Sequence, residues 1–197
     1  MLPRFADLST IPEGLETLRH GQDPLVTNPA DPLRRPVNYP RIWLSLFSAL
    51  GINVQNVWAI ALPFCAFYLM CISLLIERAK HAADAVILLA ASLSISPLLA
   101  MERGNNDLLV FSLIFLGCIA TNTYLKSLSL AGASLLKIFP AVGMAIDAVR
   151  RPHKQRILPL LLTAFAFALL AWQWRDINLI RQATPISRIR SFGFLSL

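Results

Sequence analysis

The sequence predicts an all-α membrane protein: four spanning helices plus a broken or re-entrant helical hairpin, with an N-terminal extracytoplasmic loop segment. Three observations predict it. First, 56% of the 197 residues are hydrophobic and only 15% are charged, and mean hydropathy is +0.59. That leaves too little polar side chain to solvate a soluble domain. Second, the apolar residues gather in runs close to the roughly 20 residues a helix needs to cross a bilayer. Third, 18 Lys and Arg outnumber 11 Asp and Glu, a formal charge of +7, and the basic residues cluster between the runs, as topology signals do. Backbone groups in lipid must be satisfied within their own segment, so the runs are helices rather than strands. Tyr and Phe are not interleaved with the basic residues, and no nucleic-acid partner is expected.

Residues 1–55 form the extracytoplasmic loop and interfacial helix. They are polar and rich in Pro and Asp, and no apolar stretch near Met1 marks a cleavable leader. Arg4, Arg19, Arg34, Arg35 and Arg41 balance Asp7, Glu13, Glu16, Asp23 and Asp31. Residues 41–52 are too short to cross a core of about 30 Å at about 1.5 Å per residue. An interfacial helix is expected there, with Trp43 at headgroup depth.

Residues 56–174 form the transmembrane region. The run 56–76 is long enough to span, and 84–101, 107–124 and 157–174 just span. The run 127–149 is apolar but holds Lys137 and Pro140. Proline removes a helix hydrogen bond and clashes with the preceding turn. A break there leaves two arms of about 10 residues, each roughly half the core thickness. Residues 175–197 form a polar tail carrying Arg181, Arg188 and Arg190.

The break decides the charge map. If the segment turns back, Arg78, Lys80, Lys126, Arg150, Arg151, Lys154 and Arg156 all fall on one side, which is then cytoplasmic. A kinked crossing would instead set Arg78 and Lys80 opposite the cluster at 150–156. The hairpin is therefore the expected form. It makes the chain multi-pass in the cytoplasmic (inner) membrane, with its active face extracytoplasmic.

Cys65, Cys71 and Cys118 lie inside apolar runs and read as small buried residues, while His20, His81 and His153 form no ligand set. No metal, disulfide or cofactor is expected.

Three polar groups are expected on the outer side: Asp7 with residues 21–24 and 38–41, the loop 102–107, and Lys137 at the hairpin tip. Arg and Lys can neutralise a phosphate at the membrane surface, and a carboxylate can deprotonate a hydroxyl. An ionisable side chain inside an apolar run costs a few kcal/mol and needs a reason, snorkelling being the plain one. Plain roles exist for the others too. Asp7 is one surface carboxylate among several, Asn106 and Asp107 suit a helix cap, and Glu102 and Arg103 can pair with each other.

The same residues carry a family resemblance. The stretch from Phe5-Ala6-Asp7-Leu8 to Gly21-Gln22-Asp23-Pro24 resembles the first outer loop of glycosyltransferase family 87, a polytopic group of the GT-C superfamily, in which an Asp precedes a short helix, here 13–19. Asn38-Tyr39-Pro40 is similar to the family's Tyr-Pro loop, and Gly104-Asn105-Asn106-Asp107 to its polar turn before an apolar helix. Lys137-Ile138-Phe139-Pro140 followed by Arg150-Arg151 is similar to its Lys-x-x-Pro segment and basic loop. The match covers residues 5–156. The family has a membrane helix before the Asp loop and about twice as many spans, so the chain reads as a truncated member. The resemblance implies a transferase that moves a sugar, often mannose, from a polyprenyl-phosphate donor to a hydroxyl of a glycan or lipid acceptor on the outer face. Asp7 would be the catalytic base, and Tyr39, Arg103, Asn105, Asp107 and Lys137 would bind substrate. A non-catalytic or degenerate membrane protein, an assembly subunit, and a transporter with a broken helix remain open alternatives.

Overall fold

The computed structural model describes residues 5–137 and 139–183, with the backbone alone at 153–155. Expectations for Arg4, Ile138, Arg188, Arg190 and the Lys154 side chain lie outside the described residues. Ten helices and no strand occur among those residues. They are α1 (Ala6–Arg19), α2 (Arg41–Ala49), α3 (Trp58–Glu77), α4 (Ala82–Ser92), α5 (Ile95–Arg103), α6 (Asp107–Ile119), α7 (Thr123–Leu136), α8 (Pro140–Arg150), α9 (His153–Trp172) and α10 (Trp174–Ala183). The described residues divide into two compact units: residues 5–9 with 55–172, and residues 10–54 with 173–183. Residues 5–9 thus belong with the apolar helices, and residues 173–183 with the N-terminal segment.

Among the described residues of the larger unit α3 alone is a single helix long and apolar enough to cross a membrane, with mean hydropathy 2.4 and 22% of its apolar window buried. Up to three helical segments qualify if each bent pair is one span, against the four expected. The run 84–101 is two helices, α4 and α5, bent by 46°. Pro97 lies in the first turn of α5. There its missing N–H is harmless, but in a continuous helix its ring would clash with the carbonyl of Leu93. The run 107–124 stops early. Ala120 is extended, and the Asn122 side chain starts α7 by accepting from the N–H of Tyr124 at 2.8 Å and of Leu125 at 3.1 Å.

The run 127–149 divides where its sequence places Lys137 and Pro140. Lys137 is extended, and Pro140 opens α8 at the position that tolerates proline best. Helices α7 and α8 pack on each other and α9 packs on both. The open ends of the α7–α8 hairpin meet where Lys126 Nζ lies 3.2 Å from Asp147 Oδ1.

Helices α3 and α6 run parallel. The Cys65 thiol faces the Met101 carbonyl at 3.7 Å, the Tyr68 and Phe111 rings are 5.5 Å apart, and the Cys71 thiol faces the Ser112 carbonyl at 3.8 Å. Cys118, in contrast to expectation, is exposed. These pairings give the unit two ends. One collects residues 101–107 and the hairpin tip at Lys137. The other collects the end of α3, the α6–α7 turn and the end of α8. Between them Leu62, Met70, Val86, Ile87, Ile95 and Leu161 are each more than half exposed. An apolar belt of that extent on a folded surface marks contact with lipid or another apolar partner.

The smaller unit is built differently. Ile11, Leu25, Val37, Leu44 and Phe47 are almost fully buried, alongside the polar Thr17, Asn28 and Asp31. The Thr17 hydroxyl donates to Asn28 Oδ1 at 2.6 Å, and Arg35 donates to Asp31 from its backbone N at 2.7 Å and from Nε at 2.8 Å. Burial alone would raise the Asp31 pKa. The hydrogen bonds and charge of Arg35 outweigh it and hold the carboxyl below its ordinary value.

Candidate functional site

The site begins with a turn. After α5, Gly104 takes the left-handed conformation (φ 64°), its N–H donates to Met101 O at 3.2 Å, and the N–H of Asn105 donates to Ala100 O at 2.8 Å. This pair of bonds is a Schellman closure, which glycine accommodates without strain. A Cβ at Gly104 would also come within 3.0 Å of Phe5 Cβ and 3.3 Å of Leu8 Cβ. The glycine therefore lets the start of α1 lie against the α5–α6 turn. Phe5 is itself left-handed (φ 56°), and its N–H donates to Glu102 O at 3.2 Å.

That docking delivers Asp7. Arg103 donates to Asp7 Oδ1 from Nε at 3.0 Å and from Nη2 at 2.6 Å. Asn105 Nδ2 donates to Asp7 Oδ2 at 3.2 Å. The other end of the same amide, Asn105 Oδ1, accepts from the N–H of Asp107 at 2.9 Å. The Asp107 carboxylate then pairs with Lys137 Nζ. Residues from three distant stretches of sequence thus form one chain: Arg103 to Asp7, Asp7 to Asn105, Asn105 to Asp107, Asp107 to Lys137.

Five of the six residues expected to form the site are brought together in this way. Tyr39 lies in the smaller unit, where its ring is 5.9 Å from that of Trp43. Asp7 does not precede a short helix but sits in the first turn of α1, which begins at Ala6. An acidic side chain there is favoured by the helix dipole. Asn106 makes no side-chain cap and is buried, and Asn105 satisfies the Asp107 N–H instead. Arg103 pairs with Asp7 across 96 positions of sequence rather than with its neighbour Glu102. Nor does Asp23 of the Gly-Gln-Asp-Pro turn join the chain. Its Oδ1 accepts from Leu25 N at 3.1 Å and its Oδ2 from Arg41 Nη2 at 2.5 Å, so it shapes the smaller unit.

The geometry has two chemical consequences. Both ends of the chain, Arg103 and Lys137, are cations whose side chains are more than a third exposed, so an incoming anion can reach them. Asp7 is more enclosed, with 19% of its side chain exposed, and is oriented by three donors. A group aimed in this way pays little rearrangement cost when it acts. No protein-family model, curated protein or solved structure matches the chain.

Proposed function

We propose that this end of the larger unit transfers a sugar from a polyprenyl-phosphate donor to an acceptor hydroxyl, as the resemblance to glycosyltransferase family 87 implies. The observation that carries the reading is the single hydrogen-bonded chain joining Asp7, Arg103, Asn105, Asp107 and Lys137. A catalytic carboxylate and two phosphate-binding cations at the end of a helical, apolar unit fit a substrate with a charged head and a hydrocarbon tail.

In this reading the donor phosphate competes for Arg103 and Lys137, which exchange their carboxylate partners for phosphate oxygens. Asp7, still held by Asn105, takes the acceptor proton. The acceptor oxygen bonds to the anomeric carbon as the bond from that carbon to the phosphate oxygen breaks, with inversion. Polyprenyl phosphate leaves with the electron pair, and its growing charge is met by the two cations. The sugar is a hexose, with mannose the first to test, and the face is extracytoplasmic.

The test is sugar transfer from a labelled polyprenyl-phosphate donor by membranes carrying the wild-type chain or Asp7→Asn. The asparagine keeps the size and most hydrogen bonds but cannot take the proton, so transfer should fall by about 100-fold or more. Equal transfer by the two would remove Asp7 from the chemistry.

A further inference from the structure

The opposite end of the same unit holds a second charged cluster, which sugar transfer does not use. Asp147, near the end of α8, is shared by two cations: Lys126 Nζ at 3.2 Å from α7, and Arg151 Nη2 one helical turn on. Arg156 Nε donates to the Arg151 carbonyl at 2.5 Å, which draws the start of α9 into the group. Arg150 stands exposed beside it. Two basic side chains therefore pair with the Asp147 carboxylate and a third, Arg156, lies against the Arg151 backbone, so the cations outnumber the single carboxylate.

Burial makes the imbalance specific. Arg151 is only 9% exposed, and among the described residues its Nη1, like Asp147 Oδ2, is buried without a hydrogen-bond partner. Ser127, next to Lys126 on α7, is fully buried, and its Oγ is also without a partner among the described residues. A buried donor left unsatisfied costs roughly 1–3 kcal/mol, more when charged, so such groups are normally paired. An anion with several acceptor oxygens satisfies these donors and the excess charge together. Inter-helical basic pockets at a membrane surface bind phosphate-bearing headgroups in this manner.

We propose that Lys126, Arg151 and Arg156, with Ser127, form a binding site for a phosphate group at the open end of the α7–α8 hairpin. The apolar belt above it favours the headgroup of an anionic phospholipid as the source of that phosphate. The proposal stands independently of the sugar-transfer reading.

The experiment follows thermal unfolding of the full chain in a neutral detergent. It is titrated with short-chain phosphatidylglycerol, short-chain phosphatidylcholine or inorganic phosphate. Phosphatidylglycerol should raise the midpoint and phosphatidylcholine should not. Lys126→Gln should weaken the response about five-fold, the loss expected for one basic contact. Arg78→Gln, at the end of α3, should leave it unchanged. Arg156→Gln gives the same readout as Lys126→Gln if the latter does not fold. A response to inorganic phosphate that the Lys126 substitution also weakens supports the site and identifies free phosphate as sufficient. Equal responses to the two lipids with none to phosphate, or equal losses from Lys126→Gln and Arg78→Gln, would overturn the proposal.

Discussion

Single side chains in this protein settle questions that composition leaves open. Asn105 is the clearest case: one amide holds Asp7 with its nitrogen and the Asp107 N–H with its oxygen, so it is both a helix-start residue and the link from the Asp7 carboxylate to the Asp107 backbone. Asp31 plays a comparable part in the smaller unit, and there the consequence is a dependence on pH. Its folded pKa lies below the ordinary value of 3.8 because the Arg35 bonds overcome the effect of burial. A depressed carboxyl contributes stability that is complete above the unfolded pKa and is lost as pH falls through the folded one. Protection of the Arg35 amide, which donates to Asp31 Oδ2 at 2.7 Å, should therefore hold at pH 6 and fall away below about pH 4. Asp31→Asn should show weaker protection at pH 6 and a flatter fall. Hydrogen exchange at the two pH values measures both, and identical profiles for the two proteins would show that the Arg35 pairing carries no linkage.

At the scale of elements, the sequence reveals breaks only where their chemistry is strong. Pro140 with Lys137 announces the α7–α8 break because a ring without an N–H and a charge within an apolar run both oppose a straight helix. Pro97 has the same ring chemistry but no charged residue beside it, only Ser92, Ser94 and Ser96 among apolar neighbours, so the run 84–101 reads as one helix and is in fact two. Asn122 is harder still to foresee. It lies inside the run 107–124, which reads as one span, and its role appears only in the bonds its Oδ1 accepts from Tyr124 and Leu125. Replacing an N-cap Asn by Ala costs about 1 kcal/mol. Asn122→Ala should therefore speed exchange of the Tyr124 and Leu125 amides about five-fold, and Asn122→Ser should restore most of the protection because a hydroxyl accepts the same bonds. Unchanged exchange in the alanine variant would mean that packing, not the cap, fixes the start of α7.

For the whole molecule, the all-helical, apolar character is legible because it depends on composition and run length, which need no tertiary knowledge. The smaller unit is not legible in that way. Its core mixes Leu25, Val37 and Phe47 with buried Thr17, Asn28 and Asp31, and a core sealed by polar pairs has the composition of a loop. The charge map lies between these cases. Sequence shows that the basic residues sort to one side only if residues 127–149 turn back, and the structure packs α7 on α8 with Lys126 beside Asp147 at their open ends. Helix α8 has 11 residues, which at about 1.5 Å each is about half a bilayer core. We therefore expect residues 126 and 150 to face the same aqueous compartment. Single cysteines at these two positions, in a chain with Cys65, Cys71 and Cys118 replaced by alanine, can be tested with a membrane-impermeant maleimide on intact cells and on inverted vesicles. Both should label only in the inverted vesicles, whereas a cysteine at position 105 should label only in intact cells. Labelling of 126 and 150 from opposite sides would make α7 and α8 one kinked span, and the basic residues could then no longer be read as marking a single cytoplasmic face.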